Sequence, residues 1–394
     1  MINFLSSDQT NRMSTANLKD YISRSSRRKT VLFLLFCVYV LVLLEGSARI
    51  FVSIPTLWQQ VSKGQMCDAV WRISWVKRHK NRQVDVFYSF DIYHPTRGWG
   101  LKPNIKDQTT AFGKTLNSNC KGIRGKLEYK YGKNWEKTRI LVLGDSFTFG
   151  DEVSDDETYP HFLQQMLPGT EVINFGVHGY GHDQMLIYLK EEGVKYEPHI
   201  VILGVILDDT HRNVLSFRDY AKPKFELVSD RLKLRNSPVP SPEETLEQEF
   251  WRSKFFDLLS VLYHNFRLKS GRYEKGRKEI SGAILNELLA TIKSINAVPV
   301  FVYLSGIRDK KPSEGMTLVE ERFFAHWKKK GVHCVFLRPY VSSARKKGVI
   351  LKEKGHFGPK TNQIIARGTK EYLTQNKIIR NKHEIVISDQ KNAP

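Results

Sequence analysis

Ile140-Leu141-Val142-Leu143-Gly144-Asp145-Ser146-Phe147-Thr148-Phe149-Gly150 is an apolar run that stops at a glycine and then presents a serine. Continuous apolar residues without alternation suit a parallel strand covered on both faces, and a serine just past the strand's C-terminal end falls where open α/β sheets place their sites. The run reads as a nucleophile turn. Taken alone, Gly-Asp-Ser after a strand also suits a polar turn or a helix N-cap without chemistry.

Further segments repeat the pattern. Glu171-Val172-Ile173-Asn174-Phe175-Gly176-Val177-His178-Gly179-Tyr180-Gly181 runs from a strand into a glycine-rich loop, where backbone N–H groups approach a ligand closely. His199-Ile200-Val201-Ile202-Leu203-Gly204-Val205-Ile206-Leu207 ends in the polar cluster Asp208-Asp209-Thr210-His211-Arg212-Asn213. Far downstream, Glu353-Lys354-Gly355-His356-Phe357-Gly358-Pro359 places a histidine just before the amphipathic segment 361–373. That histidine is a candidate general base.

At these residues the chain resembles the SGNH hydrolases, also called the GDSL-like esterase and acyltransferase superfamily. Gly144-Asp145-Ser146 looks like the first block of that family and Asn174-Phe175-Gly176 like its second. Asp208-Asp209 lies where the Gly-x-Asn-Asp block falls, and Glu353 to His356 looks like the Asp-x-x-His block. The resemblance covers about residues 136–375. It implies a flavodoxin-like three-layer α/β/α fold with a mainly parallel five-stranded sheet. It also implies Ser146 as nucleophile, His356 as base, Glu353 as the carboxylate orienting the imidazole, and the N–H groups of Ser146 and Gly176 as oxyanion donors. A serine hydroxyl is a poor nucleophile without an adjacent base, and that base needs a partner fixing its tautomer, so the division of roles is chemically coherent.

Two positions depart from the family pattern. Glu353 stands where aspartate is usual, which adds a methylene between backbone and carboxylate. Asp208 stands where the oxyanion-hole asparagine is usual, and an ionised carboxylate accepts hydrogen bonds but donates none. Three outcomes follow: Asp208 is protonated in a desolvated site, Asn174 or Asn213 substitutes as donor, or that part of the hole has been given up. His178 and His182 in the glycine-rich loop are placed to line the pocket, although isolated loop histidines are more often solvated. No His/Cys/Asp spacing suits a metal, and the Gly-Lys-Ser/Thr ending of a phosphate loop is absent, so neither metal nor cofactor is expected.

Composition sets the frame. The 394 residues are 41% hydrophobic with ordinary glycine and proline content, enough for a large core and against wholesale disorder. Residues 30–44 form an uncharged apolar run preceded by Arg24, Arg27, Arg28 and Lys29, so the segment 30–52 reads as a transmembrane signal anchor. Its N-terminus is expected in the cytoplasm and the rest of the chain outside, in the periplasm or at the cell surface. The rival is a cleaved signal peptide, since Gly46-Ser47-Ala48 offers small residues. The organisation expected is a basic leader (1–29), the anchor (30–52), an irregular, partly β extension rich in tryptophan (53–135), the hydrolase-like domain (136–375) with an insertion at about 211–275, and a polar tail (376–394). The insertion reads as either a lid over the site or a surface helix.

Of the four cysteines, Cys67 and Cys120 are the pair expected to bridge, leaving Cys334 in its strand. The net charge of +21 is scattered rather than gathered in one stripe, so nucleic acid is not an expected partner. Envelope glycans or phospholipid head groups suit it better. The function expected is a serine esterase or O-acyltransferase acting on acylated envelope carbohydrate or another ester. The alternative is a non-catalytic glycan- or lipid-binding module with a degraded site.

Overall fold

The structure, a computed structural model, describes residues 15–79, 86, 88–305, 307, 315–351 and 355–379, with side chains from residue 27 onward. The described residues fall in two compact units, Met1–Gln65 with Arg252–Tyr263, and Met66–Trp251 with His264–Pro394.

The first unit is dominated by helix α1 (Thr15–Ser53). Its portion Arg27–Ser53 is long and apolar enough to cross a membrane. Pro55 then starts a second short helix, Pro55–Ser62, at the position where a missing N–H costs nothing.

The second unit holds the sheet. Strands β1 (Thr138–Gly144), β2 (Thr170–Gly176), β3 (Ile200–Val205), β4 (Val298–Tyr303) and β5 (His333–Phe336) are all parallel and ordered β5-β4-β3-β1-β2. The fold expected from the run at 140–144 is therefore present. Because successive side chains on a strand point to opposite faces, Ile140 and Val142 enter one core with Ile202 and Val302, whereas Leu141 and Leu143 enter the other with Leu203 and Phe301. All four residues from Ile140 to Leu143 are fully buried, which explains the absence of alternation.

Helices α2 (Tyr159–Met166), α3 (His182–Glu191), α4 (Pro242–Trp251), α5 (Lys254–Lys269), α6 (Arg272–Ser294), α7 (Leu318–Lys329) and α8 (Pro359–Gln375) complete the chain's main elements. Leu163 of α2 and Ile365 of α8 join the first core; Leu186 of α3, Leu288 of α6 and Trp327 of α7 join the second.

The extension before the sheet is more ordered than its sequence suggests. Helix Asp68–His79 and the hairpin Asp91–His94/Gly98–Leu101 bring Trp75 and Trp99 fully into the core. These tryptophans are packing residues, whereas Trp135 is exposed. The insertion is no free lid in its first half, because Phe217, Tyr220 and Ala221 are core residues and Lys222 is buried in an ion pair with Asp183. Its second half forms two helices, α4 and α5, broken at Arg252 and Ser253. The expected Cys67–Cys120 bridge is not formed: Cys67 is buried and Cys120 is an exposed thiol whose Sγ donates to Glu128.

Candidate active site

The turn after β1 is built by close approach. Asp145 caps a one-turn helix, Ser146–Phe149, its Oδ1 accepting from the Phe147 N–H at 3.0 Å. Gly150 ends the turn at φ 90°, a conformation that glycine adopts without strain. A Cβ on Gly144, Gly176 or Gly204 would collide with Thr148 or Phe149 of this turn, so glycine at three neighbouring strand ends lets Ser146 settle over the sheet edge.

Ser146 meets His356 there. The Ser146 hydroxyl and His356 Nε2 are 2.8 Å apart, although 210 residues separate them in sequence. The Phe147 ring is centred 4.8 Å from the imidazole and 4.7 Å from the ring of Phe357. On its other side, His356 Nδ1 lies 3.1 Å from Glu152 Oε1, and the same oxygen accepts the His356 main-chain N–H at 2.9 Å. Gly355 adopts φ 72°, and a Cβ on it would strike the Glu152 carboxylate. The result is a line of carboxylate, imidazole and hydroxyl, with the acid supplied from the loop after Ser146.

Glu353, expected from the sequence as that acid, lies outside the described residues. Glu152 was missed because it belongs to no downstream block. The available signal was the pair Asp151-Glu152 directly after a turn buried on all sides.

The loop carrying Glu152 is held by Arg124. This fully buried guanidinium donates to Asp155 Oδ1 at 2.9 Å and to the carbonyls of Phe149, Gly150 and Val153 at 2.6, 2.7 and 2.7 Å. Arg124→Ala strands one carboxylate and three carbonyls, so an unfolding free energy lower by about 3 to 5 kcal/mol is expected by denaturant titration. A loss below about 1 kcal/mol would show that the loop is held by other contacts.

The remaining expected donors are engaged elsewhere. The Gly176 N–H donates to Asn174 Oδ1 at 2.9 Å, and Asn174 Nδ2 donates to the Thr148 carbonyl at 3.1 Å. Asn213 is buried, its Nδ2 donating to Ser281 and its Oδ1 accepting from the Asp183 N–H. These groups brace the turn and loops. Asp208 is exposed and precedes the short helix Asp209–Arg212. Its neighbour Asp209 is the buried member, 2.7 Å from Arg212, which in turn reaches Asp145 Oδ2 at 3.2 Å and the Tyr180 carbonyl at 2.7 Å. Burial raises the Asp209 carboxyl well above the usual carboxylate range; Arg212 opposes this and Asp145 adds to it. The third block thus clamps the nucleophile turn through Arg212.

His178 and His182 are not solvated. His178 is buried, with Nε2 2.8 Å from Asp91 Oδ2 and Nδ1 3.8 Å from Asp151 Oδ1. Burial works to lower its pKa, but Asp91 and Asp151 together outweigh burial and the net direction is up. Asp151 also lies 3.8 Å from His356 Nε2, and burial raises its carboxyl against the pull of His178 and His356.

His182 is fully buried, and burial, aided by Arg212, pushes its pKa down to about 3 from 6.5. The folded value lies below the unfolded one, so between pH 6.5 and about 3 the unfolded chain takes up a proton that the folded chain refuses. Stability therefore falls as pH drops through that window, by up to about 1.4 kcal/mol per pH unit from this group. In His182→Gln, unfolding free energy measured against pH should have a flatter acid limb; an unchanged slope would contradict the assignment.

Among the described residues no group of three or more His, Cys, Asp and Glu side chains is arranged to hold a metal ion. A cavity of about 570 Å³ is lined by Asn117, Arg124, Lys126, His161 and Asn174 among others, and by neither Ser146 nor His356.

No family model matches the chain, and no curated protein matches it. Several solved structures are similar to it. The psychrotrophic esterase EstA from Pseudoalteromonas sp. aligns at 13% identity and a TM-score of 0.36, covering 62% of this chain and 100% of that one. A catalytic mutant of an acetylxylan esterase from Geobacillus stearothermophilus aligns at 12% identity and 0.35, covering 61% and 96%. A member of the lipolytic protein G-D-S-L family from Veillonella parvula aligns at 11% and 0.34, covering 59% and 96%. Identities this low bear on fold alone, and TM-scores below 0.5 add nothing to the geometry.

Proposed function

We propose that the chain is a membrane-anchored serine esterase or O-acyltransferase that works through an acyl-enzyme on Ser146. The observation carrying this reading is the continuous contact from Glu152 through His356 to the Ser146 hydroxyl. In the proposed reaction His356 Nε2 takes the hydroxyl proton as Oγ forms a bond to the ester carbonyl carbon. Collapse of the tetrahedral species breaks the bond to the alcohol oxygen, and His356 returns the proton to that leaving group. Water, or a second hydroxyl such as that of a sugar, then attacks the acyl carbon with His356 again as base, and the bond to Oγ breaks as His356 returns that proton to Ser146.

Glu152 holds the proton on Nδ1, so that Nε2 stays the acceptor. Among the described residues the main-chain N–H groups of Ser146 and Gly179 have no acceptor within bonding distance, and these are the oxyanion donors proposed. Gly179 adopts φ 75° in the loop after β2.

The substrate class proposed is an acylated carbohydrate or related ester of the cell envelope. The anchor proposed is α1, whose length and apolar character support it, with the basic residues before it proposed on the cytoplasmic side and the sheet-bearing unit outside. A panel of acyl esters, assayed with the full chain beside Ser146→Ala, tests the reading. Turnover confined to the parent chain supports it, and equal product from both chains refutes it. Adding sugar acceptors to the same assay separates transfer from hydrolysis. A binding module with a degraded site would bind acylated glycan equally in both chains and turn none over.

A further inference from the structure

Helix α5 has a buried side, formed by Asp257, Val261 and His264, and an exposed apolar one. Val261 is fully buried, while Phe256, Leu259, Leu262, Tyr263 and Phe266 are between 42% and 64% exposed. At about 100° per residue these five exposed positions fall within an arc of about 120°, one continuous stripe along the helix. The residues just before the helix, Phe250 and Trp251, are exposed as well. A stripe of this width on a soluble surface is unusual unless something covers it.

What covers it is indicated by where the helix begins. Glu45, the carboxylate that directly follows the apolar run 31–44 of helix α1, accepts from Ser253 Oγ at 2.6 Å and from the main-chain N–H groups of Lys254 and Phe255 at 3.1 Å each. It thus caps the N-terminus of α5 from a different helix. Arg49 pairs with the same carboxylate at 2.7 Å and donates to the Arg252 carbonyl. Along α1 itself no residue from Val31 to Leu44 is buried, whereas Ala48 and Val52, beyond Glu45, are. The exposed apolar part of α1 therefore ends at the level where α5 is attached.

We propose that α5 lies along the surface of the bilayer that α1 crosses, with its stripe of Phe256, Leu259, Leu262, Tyr263 and Phe266 in the headgroup–acyl boundary. This rests on the proposed reading of α1 as a membrane span. At 1.5 Å per residue, Val31 to Leu44 supplies roughly 21 Å of apolar length against a hydrocarbon core of about 30 Å. Arg27, Arg28 and Lys29 snorkel at one end, and at the other an interfacial helix adds apolar area beside the short span. The cations Arg49, Lys254 and Lys269 on or beside this helix then stand near lipid head groups, where each attracts an anionic surface. Aromatic residues with one polar tip, such as Tyr263, favour that depth.

The test uses the full chain in lipid nanodiscs, with Cys37→Ser and Cys120→Ser as background and single cysteines carrying an environment-sensitive fluorophore. Leu262→Cys and Tyr263→Cys report on α5, Val38→Cys on the span and Ile350→Cys on an exposed position of the other unit. The α5 labels are expected to be shielded from aqueous iodide at least about fivefold relative to Ile350→Cys and to be quenched by shallow spin-labelled lipid. Val38→Cys is expected to be quenched by deep spin-labelled lipid. If Val38→Cys is lipid-quenched and both α5 labels are as accessible to iodide as Ile350→Cys, the interfacial placement is overturned while the span stands. If Val38→Cys is also accessible to iodide, the span fails and the placement fails with it.

Discussion

Replacing Ser146 by alanine is expected to lower turnover of an acyl ester by about 10⁴-fold or more, and His356→Ala by a similar factor, because each removes one end of the proton-transfer contact. The double variant should lose little more than either single one. Without the serine there is no hydroxyl for the imidazole to deprotonate, and without the imidazole the hydroxyl is a poor nucleophile, so the second substitution removes something already idle. The measurement is kcat/KM for all four chains with one activated ester. Losses that multiply would mean that the two residues act independently, and the 2.8 Å contact would then be structural.

The second large effect concerns which carboxylate serves the histidine. Glu152→Gln is expected to lower kcat by about 10³- to 10⁴-fold with little change in KM, because an amide beside Nδ1 no longer enforces the tautomer that leaves Nε2 free to accept. Glu353→Gln is expected to change kcat by less than about tenfold on the same reasoning. Thermal melting of both variants separates this from a folding defect, since Glu152 also accepts the His356 main-chain N–H. The reverse ranking would return the acid to position 353 and overturn the assignment of Glu152.

The sequence made the sheet legible for a simple reason: Ile140 to Leu143 and Ile200 to Leu203 are buried on both faces, and such strands read as unbroken apolar runs. Ser146 and His356 were legible because each sits in a short local pattern at a strand end or helix start. The acid was not. Glu152 reaches His356 only because Gly150 turns the chain back, Arg124 fixes the loop through three carbonyls, and Gly355 leaves room for its carboxylate. None of those contacts is local in sequence.

The same limit explains the donors. Asn174 and Gly176 sit where the resemblance implied a hole, yet their hydrogen bonds run to each other and to Thr148. The buried ion pairs were equally hidden, since Arg212 meets Asp145 across 67 residues and His178 meets Asp91 across 87. In the extension, Trp75 and Trp99 fill the core, their indole N–H groups donating to the carbonyls of Val86 and His178.

The central claim, that Ser146 is a nucleophile activated by His356, is tested most directly by treating the full chain with a fluorophosphonate and locating the adduct by peptide mass spectrometry. The account predicts a single phosphonylated residue, Ser146, with labelling slowed by about 10³-fold or more in His356→Ala. A chain that stays unmodified, or that reacts at Ser146 equally fast without His356, would contradict it.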